Sequence, residues 1–214
     1  MTVAAKICGL NSEAAVTAAV GGGADYVGFV FYPPSPRAVT PAQAARLCAV
    51  VPAGTARVGL FVDASDDTIA AALAEVRLDI LQFHGSESPQ RVSDARRRFG
   101  RAVMKAVPLA EPKDVCTAEP YEEAADMLLF DAKPPRRRGA LPGGNGLAFD
   151  WELIAGRLWR LPWMLSGGLT SETLPEAVRI SGATCVDVSS GVESRPGEKD
   201  PAKIRDFLAA ARAL

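Results

Sequence analysis

The sequence predicts a (β/α)₈ barrel, a closed ring of eight parallel strands with a helix after each. Three observations predict it. Short apolar runs alternate with alanine-rich helical stretches from one end of the chain to the other. Strand starts recur at intervals of about 20–35 residues, the size of one β-α unit. Eight such units fit within 214 residues, a compact size for such a barrel.

Strands are expected near residues 3–8, 26–31, 57–62, 78–84, 102–107, 127–131, 163–166 and 184–188. Helical patterns cover residues 13–20, 41–50, 67–76, 89–99, 112–117, 151–158, 172–181 and 202–213. The competing fold, an open doubly wound sheet, announces itself with a glycine-rich nucleotide loop after its first strand. Cys8-Gly9-Leu10-Asn11 is not one. With no linker or low-complexity tract, residues 1–214 are expected to form one domain. The longest irregular segment, residues 133–148, follows the sixth strand and reads as a lid or as a simple insertion.

Composition narrows the partners. With 24 basic and 25 acidic side chains the net charge is −1, which gives no electrostatic footprint for nucleic acid or an anionic membrane. Arg136, Arg137 and Arg138 form one local basic cluster, read as a solvated loop. The N-terminus lacks the basic head and apolar core of a signal peptide, and no apolar run approaches the ~20 residues that span a bilayer. Cys8, Cys48, Cys116 and Cys185 are scattered without a Cys-x-x-Cys pair. Free thiols in a reducing compartment are expected, hence a cytoplasmic address.

Residues two apart on a strand share a face. One face of a barrel strand meets the helices, and the other fills the interior and reaches the catalytic mouth at the strands' C-terminal ends. Alternation puts Lys6 and Cys8 together, then Gln82 with His84, Lys105 with Val103 and Val107, Asp131 with Leu129, and Asp187 with Cys185. Five strands are thus expected to aim polar groups inward. So many buried charges need a reason, and a site at the mouth supplies it. Each residue alone has a plainer reading. Cys8 also reads as a small buried hydrophobe, Asp131 as a helix cap, His84 as a structural hydrogen-bonding residue, and Lys6 and Lys105 as members of an ion-pair network.

Glycine-bearing turns follow the last two strands, Ser166-Gly167-Gly168-Leu169 and Ser189-Ser190-Gly191-Val192. Barrels commonly seat phosphate there on main-chain N–H groups, which makes Gly167, Gly168, Ser190 and Gly191 the candidate anion seat. The second β-α loop, Pro33-Pro34-Ser35-Pro36-Arg37, is stiffened by proline. It could hold the Arg37 guanidinium over the mouth to clasp a carboxylate through two hydrogen bonds; a surface arginine is the plainer alternative.

Taken in order, these motifs resemble the phosphoribosylanthranilate isomerase family. The resemblance rests on Lys6-Ile7-Cys8-Gly9-Leu10, on residues 23–31 followed by Ser35-Pro36-Arg37, and on Gly59-Leu60-Phe61-Val62. It continues through Gln82-Phe83-His84-Gly85, Phe130-Asp131, Gly143-Gly144-Asn145-Gly146, Ser166-Gly167-Gly168-Leu169, residues 186–193 and residues 196–200. Asn11 and Asn145 stand where the family usually has threonine, Phe83 where it has leucine and Ser166 where it has alanine.

The resemblance implies an Amadori rearrangement of N-(5′-phosphoribosyl)anthranilate to 1-(2-carboxyphenylamino)-1-deoxyribulose 5-phosphate in tryptophan biosynthesis. It implies Asp131 as general acid, Cys8 as general base, Arg37 on the anthranilate carboxylate, and His84 and Asp187 among the substrate contacts. No metal or cofactor is implied, the partner is a small phosphosugar, and a monomer or homodimer is expected. About 3% of a free cysteine is thiolate at neutral pH, so Lys6 is expected to favour the Cys8 thiolate. Two rival readings are the related aminoimidazole ribotide isomerase of histidine biosynthesis, which usually has aspartate at the position of Cys8, and an idle phosphosugar-binding barrel. A single histidine argues against a metal-dependent epimerase.

Overall fold

The computed structural model describes residues 2–135 and 141–214; Arg136, Arg137 and Arg138 lie outside the described residues. Eight strands close into a parallel barrel in chain order: β1 Ala4–Cys8, β2 Tyr26–Val30, β3 Ala56–Phe61, β4 Ile80–Phe83, β5 Ala102–Leu109, β6 Met127–Ala132, β7 Trp163–Leu165 and β8 Cys185–Val188. The ring is sealed by β8 pairing with β1, with Lys6 opposite Asp187.

Helices α1 Glu13–Gly21, α2 Pro41–Cys48, α3 Asp66–Glu75 and α4 Pro89–Phe99 follow the first four strands. Each starts where its sequence says it should. Ser12, Thr40, Ser65 and Ser88 precede them, and each hydroxyl accepts the N–H three residues on, satisfying a donor the helix itself leaves unpaired. Then come α5 Pro112–Val115, α6 Leu174–Ser181 and α7 Pro201–Arg212. Asp200 caps α7 through the N–H groups of Ala202 and Lys203.

The structure corrects three expectations. The helical pattern at residues 151–158 forms only a 3₁₀ turn, Trp151–Ile154. Gly156, at φ +66°, breaks it in a conformation L side chains rarely adopt, and Leu158 beyond is exposed. The pattern at residues 112–117 yields four helical residues and then a 3₁₀ stretch through Pro120, which has no N–H for an α-helical bond. Beyond β8 the chain also forms an unexpected hairpin of β9 Glu193–Arg195 and β10 Glu198–Lys199.

The third correction concerns Lys105. In β5 it is Met104 and Ala106 that join Leu129, Met164 and Cys185 inside the barrel floor. Val103 and Val107 pack in the layer between strands and helices. Lys105 shares that outer face, buried, with Nζ 2.7 Å from Gly85 O, 3.0 Å from Glu87 Oε2 and over the Tyr121 ring. Four strands, not five, carry polar groups inward. Above the apolar floor lie Lys6, Gln82 and Asp187, and above them the mouth.

Candidate active site

The mouth opens into a cleft at the C-terminal ends of the strands, where barrels of this kind place their sites. Cys8 from the end of β1, Asp131 from β6 and Asp187 from β8 line it, with His84 just past β4. Residues 141–147 form its roof, and the two glycine turns after β7 and β8 form its far wall. Arg37 reaches it from the loop after β2. The residues given catalytic, substrate or phosphate roles from the sequence all line this cleft; Lys6 lies below it and Lys105 outside the barrel.

Cys8 is buried against Val30 and Leu60. Beneath it Lys6 Nζ donates to Asp187 Oδ1 at 2.8 Å, and Ser166 Oγ donates to Asp187 Oδ2 at 3.0 Å. Burial would lower the Lys6 pKa, but the charge of Asp187, with that of Cys8 and hydrogen bonds to both, raises it well above the usual lysine range. Lys6 is therefore a permanent cation. Burial pushes the Cys8 thiol above its ordinary value; Lys6 pulls it down, Asp187 pushes it up, and Lys199 pulls it down again. The expected net bias toward thiolate is thus absent, because burial of the thiol outweighs the pull of Lys6, and Asp187 offsets part of that pull. The space is tight: a Cβ on Gly28 would stand 3.1 Å from Cys8 Sγ and 3.3 Å from Lys6 Nζ.

Asp131 Oδ1 accepts the Ala132 N–H at 2.9 Å, and Oδ2 lies 3.1 Å from His84 Nε2. His84 Nδ1 lies 2.9 Å from the amide nitrogen of Gln82. Gly143 of the roof presses on both, since a Cβ there would stand 2.5 Å from His84 Nε2 and 2.8 Å from Asp131 Oδ2.

Arg37 does not present an open fork. Its Nε and Nη2 donate to Glu193 Oε1 and Oε2 at 2.7 and 2.9 Å, and Nη2 also donates to Gly144 O at 3.1 Å. Nη1 makes no hydrogen bond among the described residues and remains for a ligand. Glu193 also accepts Lys199 Nζ at 2.8 Å, while the same ammonium holds Ser189 O and Oγ. Burial would raise the Glu193 pKa, but the Arg37 hydrogen bond and the Lys199 charge hold it below the usual range. Sequence reasoning gave Glu193 and Lys199 no role, although Pro196-Gly197 between them is a turn signal that could have revealed their hairpin.

The candidate anion seat is built by close main-chain approach. Gly168 has φ +66°, and a Cβ there would lie 2.8 Å from Ala148 N. A Cβ on Gly191 would lie 1.9 Å from Leu169 O, so only glycine lets the two turns touch. The first N–H groups of the 3₁₀ turn Ser190–Val192 have no partner within that turn. Two departures from the family's usual residues make bonds of their own: Asn11 Nδ2 donates to Gly197 O and Asn145 Nδ2 to Leu141 O, both at 2.8 Å.

A closed parallel barrel with a thiol, a carboxyl and an anion seat around one cleft at its C-terminal rim defines a (β/α)₈-barrel enzyme of the phosphosugar-handling kind. The model of the family described as N-(5′-phosphoribosyl)anthranilate (PRA) isomerase matches residues 5–210. The chain belongs to that family. It is 56% identical over 212 residues to the N-(5′-phosphoribosyl)anthranilate isomerase of Paramagnetospirillum magneticum, covering 99% of this chain and 98% of that one. With the enzyme of that name from Cereibacter sphaeroides it shares 58% over 210 residues, 98% and 99% of the two chains. The phosphoribosyl anthranilate isomerase structure from Thermotoga maritima superposes with a TM-score of 0.88 at 36% identity, covering 99% of this chain and all of that one. Another structure of this enzyme type, in complex with reduced 1-(o-carboxyphenylamino)-1-deoxyribulose 5-phosphate, superposes at 0.85 with 35% identity, covering 99% of this chain and 100% of that one. No helix among the described residues is long and apolar enough to cross a membrane.

Proposed function

We propose that this chain performs the Amadori rearrangement of N-(5′-phosphoribosyl)anthranilate with Asp131 as general acid and Cys8 as general base. One observation carries the reading. In the ring order β6, β7, β8, β1 the acid and the base stand on the outer two strands, and the glycine turns stand on the two between them. A pentose phosphate anchored on Gly167, Gly168, Ser190 and Gly191 reaches both groups from there.

The steps balance without a cofactor. The protonated Asp131 gives its proton to the furanose ring oxygen; the C1′–O bond breaks as the anilino nitrogen's lone pair forms an iminium. The Cys8 thiolate then removes the C2′ proton, and the electrons flow into the iminium to give an enolamine. Loss of the O2′ proton and protonation at C1′ complete the ketone. Nη1 of Arg37 meets the anthranilate carboxylate, and Asp187 keeps lone pairs for a ribose hydroxyl. His84 orients the acid. The whole chain acts as one catalytic unit, monomeric or dimeric, in the cytoplasm, a location its unpaired cysteines suit.

The test is decay of substrate fluorescence when phosphoribosylanthranilate is generated in situ. Cys8→Ala and Asp131→Asn should each lower kcat by orders of magnitude with modest change in KM. Near-wild-type turnover by either variant removes that residue from the mechanism.

A further inference from the structure

The interior carries a polar group that the mechanism above leaves unused and that lacks a full set of partners. Gln82 is fully buried, and its Oε1 has no hydrogen-bond partner among the described residues. A buried amide oxygen without a partner costs free energy, so its persistence asks for a reason. Its other end meets His84, which in turn meets Asp131: Gln82 Nε2 to His84 Nδ1 is 2.9 Å, and His84 Nε2 to Asp131 Oδ2 is 3.1 Å. The chain ends on the proposed acid.

The amide orientation counts the protons in this chain. With the amide NH₂ toward His84, Nδ1 must accept, so Nε2 carries the ring's hydrogen and donates it to Asp131 as carboxylate. With the amide inverted, Oε1 accepts from an Nδ1–H. The hydrogen bond between Nε2 and Oδ2 still needs its one proton, on the imidazole or on the carboxyl, so the His84–Asp131 pair as a whole holds one proton more than before. In either orientation one end of the amide meets His84 and the other meets nothing. Inversion therefore forfeits no hydrogen bond, which makes the group bistable rather than merely misfitted.

We propose that Gln82 is a positioning residue whose amide orientation sets the His84 tautomer and, through it, whether Asp131 holds the proton it donates. This rests on the reading of Asp131 as the general acid. The extra proton comes from water, leaves to the furanose ring oxygen, and the amide inverts as the pair is discharged. Other charges around the pair are already committed. Lys6 and Asp187 neutralise each other below, and Arg37 is held by Glu193 across the cleft. Behind His84, Lys105 is paired with Glu87, and Asp63 accepts from Ser86. Cys8, raised by burial, and Tyr32 are the remaining titratable groups on the cleft among the described residues.

The experiment exploits the single histidine. Imidazole ¹⁵N NMR of the tag-free enzyme across the pH range of activity reports His84 alone. The expected result is a switch from Nδ1–H to Nε2–H as pH rises, with a midpoint shared by one limb of the kcat/KM profile. Gln82→Met, which neither donates nor accepts well, should move both midpoints down together and lower kcat at neutral pH about tenfold. Gln82→Glu, which as carboxylate only accepts, should move both up. A His84 that stays Nε2–H throughout overturns the proposal and needs no variant to show it. So does a Gln82→Met enzyme, folded by circular dichroism, with unshifted midpoints. A fully active Asp131→Asn enzyme overturns the parent reading instead, and is scored without any Gln82 variant.

Discussion

Arg37 grips Glu193 through two parallel N–H···O bonds of 2.7 and 2.9 Å, tying the loop after β2 to the hairpin after β8. The arginine enters the cleft already oriented, and its Nη1 makes no hydrogen bond among the described residues. Such pre-paid order is what a substrate clamp needs, because a free arginine loses rotamer entropy on binding.

Arg37→Ala should raise KM about 10- to 100-fold, from the ~1.5–3 kcal/mol of a charge-assisted hydrogen bond, and change kcat less. Arg37→Lys should rescue little, since an ammonium cannot reproduce the fork. Steady-state kinetics on both variants decide it; an unchanged KM would leave Arg37 without a substrate.

Glu193 predicts an acid sensitivity. Its folded pKa lies below the ordinary 4.5, so the folded state binds its proton less readily than the unfolded state. The stabilisation is complete above pH 4.5 and fades as pH falls through the lowered value. In Glu193→Gln, urea midpoints should fall at neutral pH and depend less on pH below that point. Parallel wild-type and variant curves would contradict the assignment.

The raised Cys8 pKa predicts slow alkylation. Site-resolved modification of Cys8 by iodoacetamide should rise with pH to a midpoint above the ordinary 9.0. In Asp187→Asn the midpoint should drop, because the carboxylate that raises it is gone and Lys6 is freed. That variant should also lose stability, by about 3–5 kcal/mol if the remaining buried charge stays uncompensated.

Gly191→Ala should weaken substrate and inorganic phosphate in parallel. The new methyl would meet Leu169 O at 1.9 Å, so the backbone must move, at a cost of about 1–3 kcal/mol. Competition by phosphate measures the seat without the chemistry.

Much of the site was legible because strand alternation is strict. Lys6 and Cys8, or Gln82 and His84, can share a face only if the pattern holds, and there it does. Lys105 shows where the argument weakens. Alternation says which residues share a face but not which face is inward, and polarity misled because Glu87, on a different loop, satisfies the ammonium outside the barrel. The link of Glu193, and through it of Lys199, to Arg37 was hidden for a related reason, although the Pro196-Gly197 turn signals their hairpin. Their value comes from a hairpin that brings them to Arg37, 156 positions away from Glu193, and no local pattern encodes that. Residues 151–158 had the composition of a helix, but Gly156 cuts it before one turn can propagate.

The seam between β1 and β8 has a kinetic corollary. Lys6 and Asp187 are 181 positions apart, so their contact closes one of the longest loops the chain can make, the kind of contact whose entropy is repaid last. The strand that carries the thiol also carries Lys6, but Asp187 joins them only when the two ends of the chain meet. During refolding, helical signal should return ahead of turnover, and the first catalysed molecule marks the moment the circle joins.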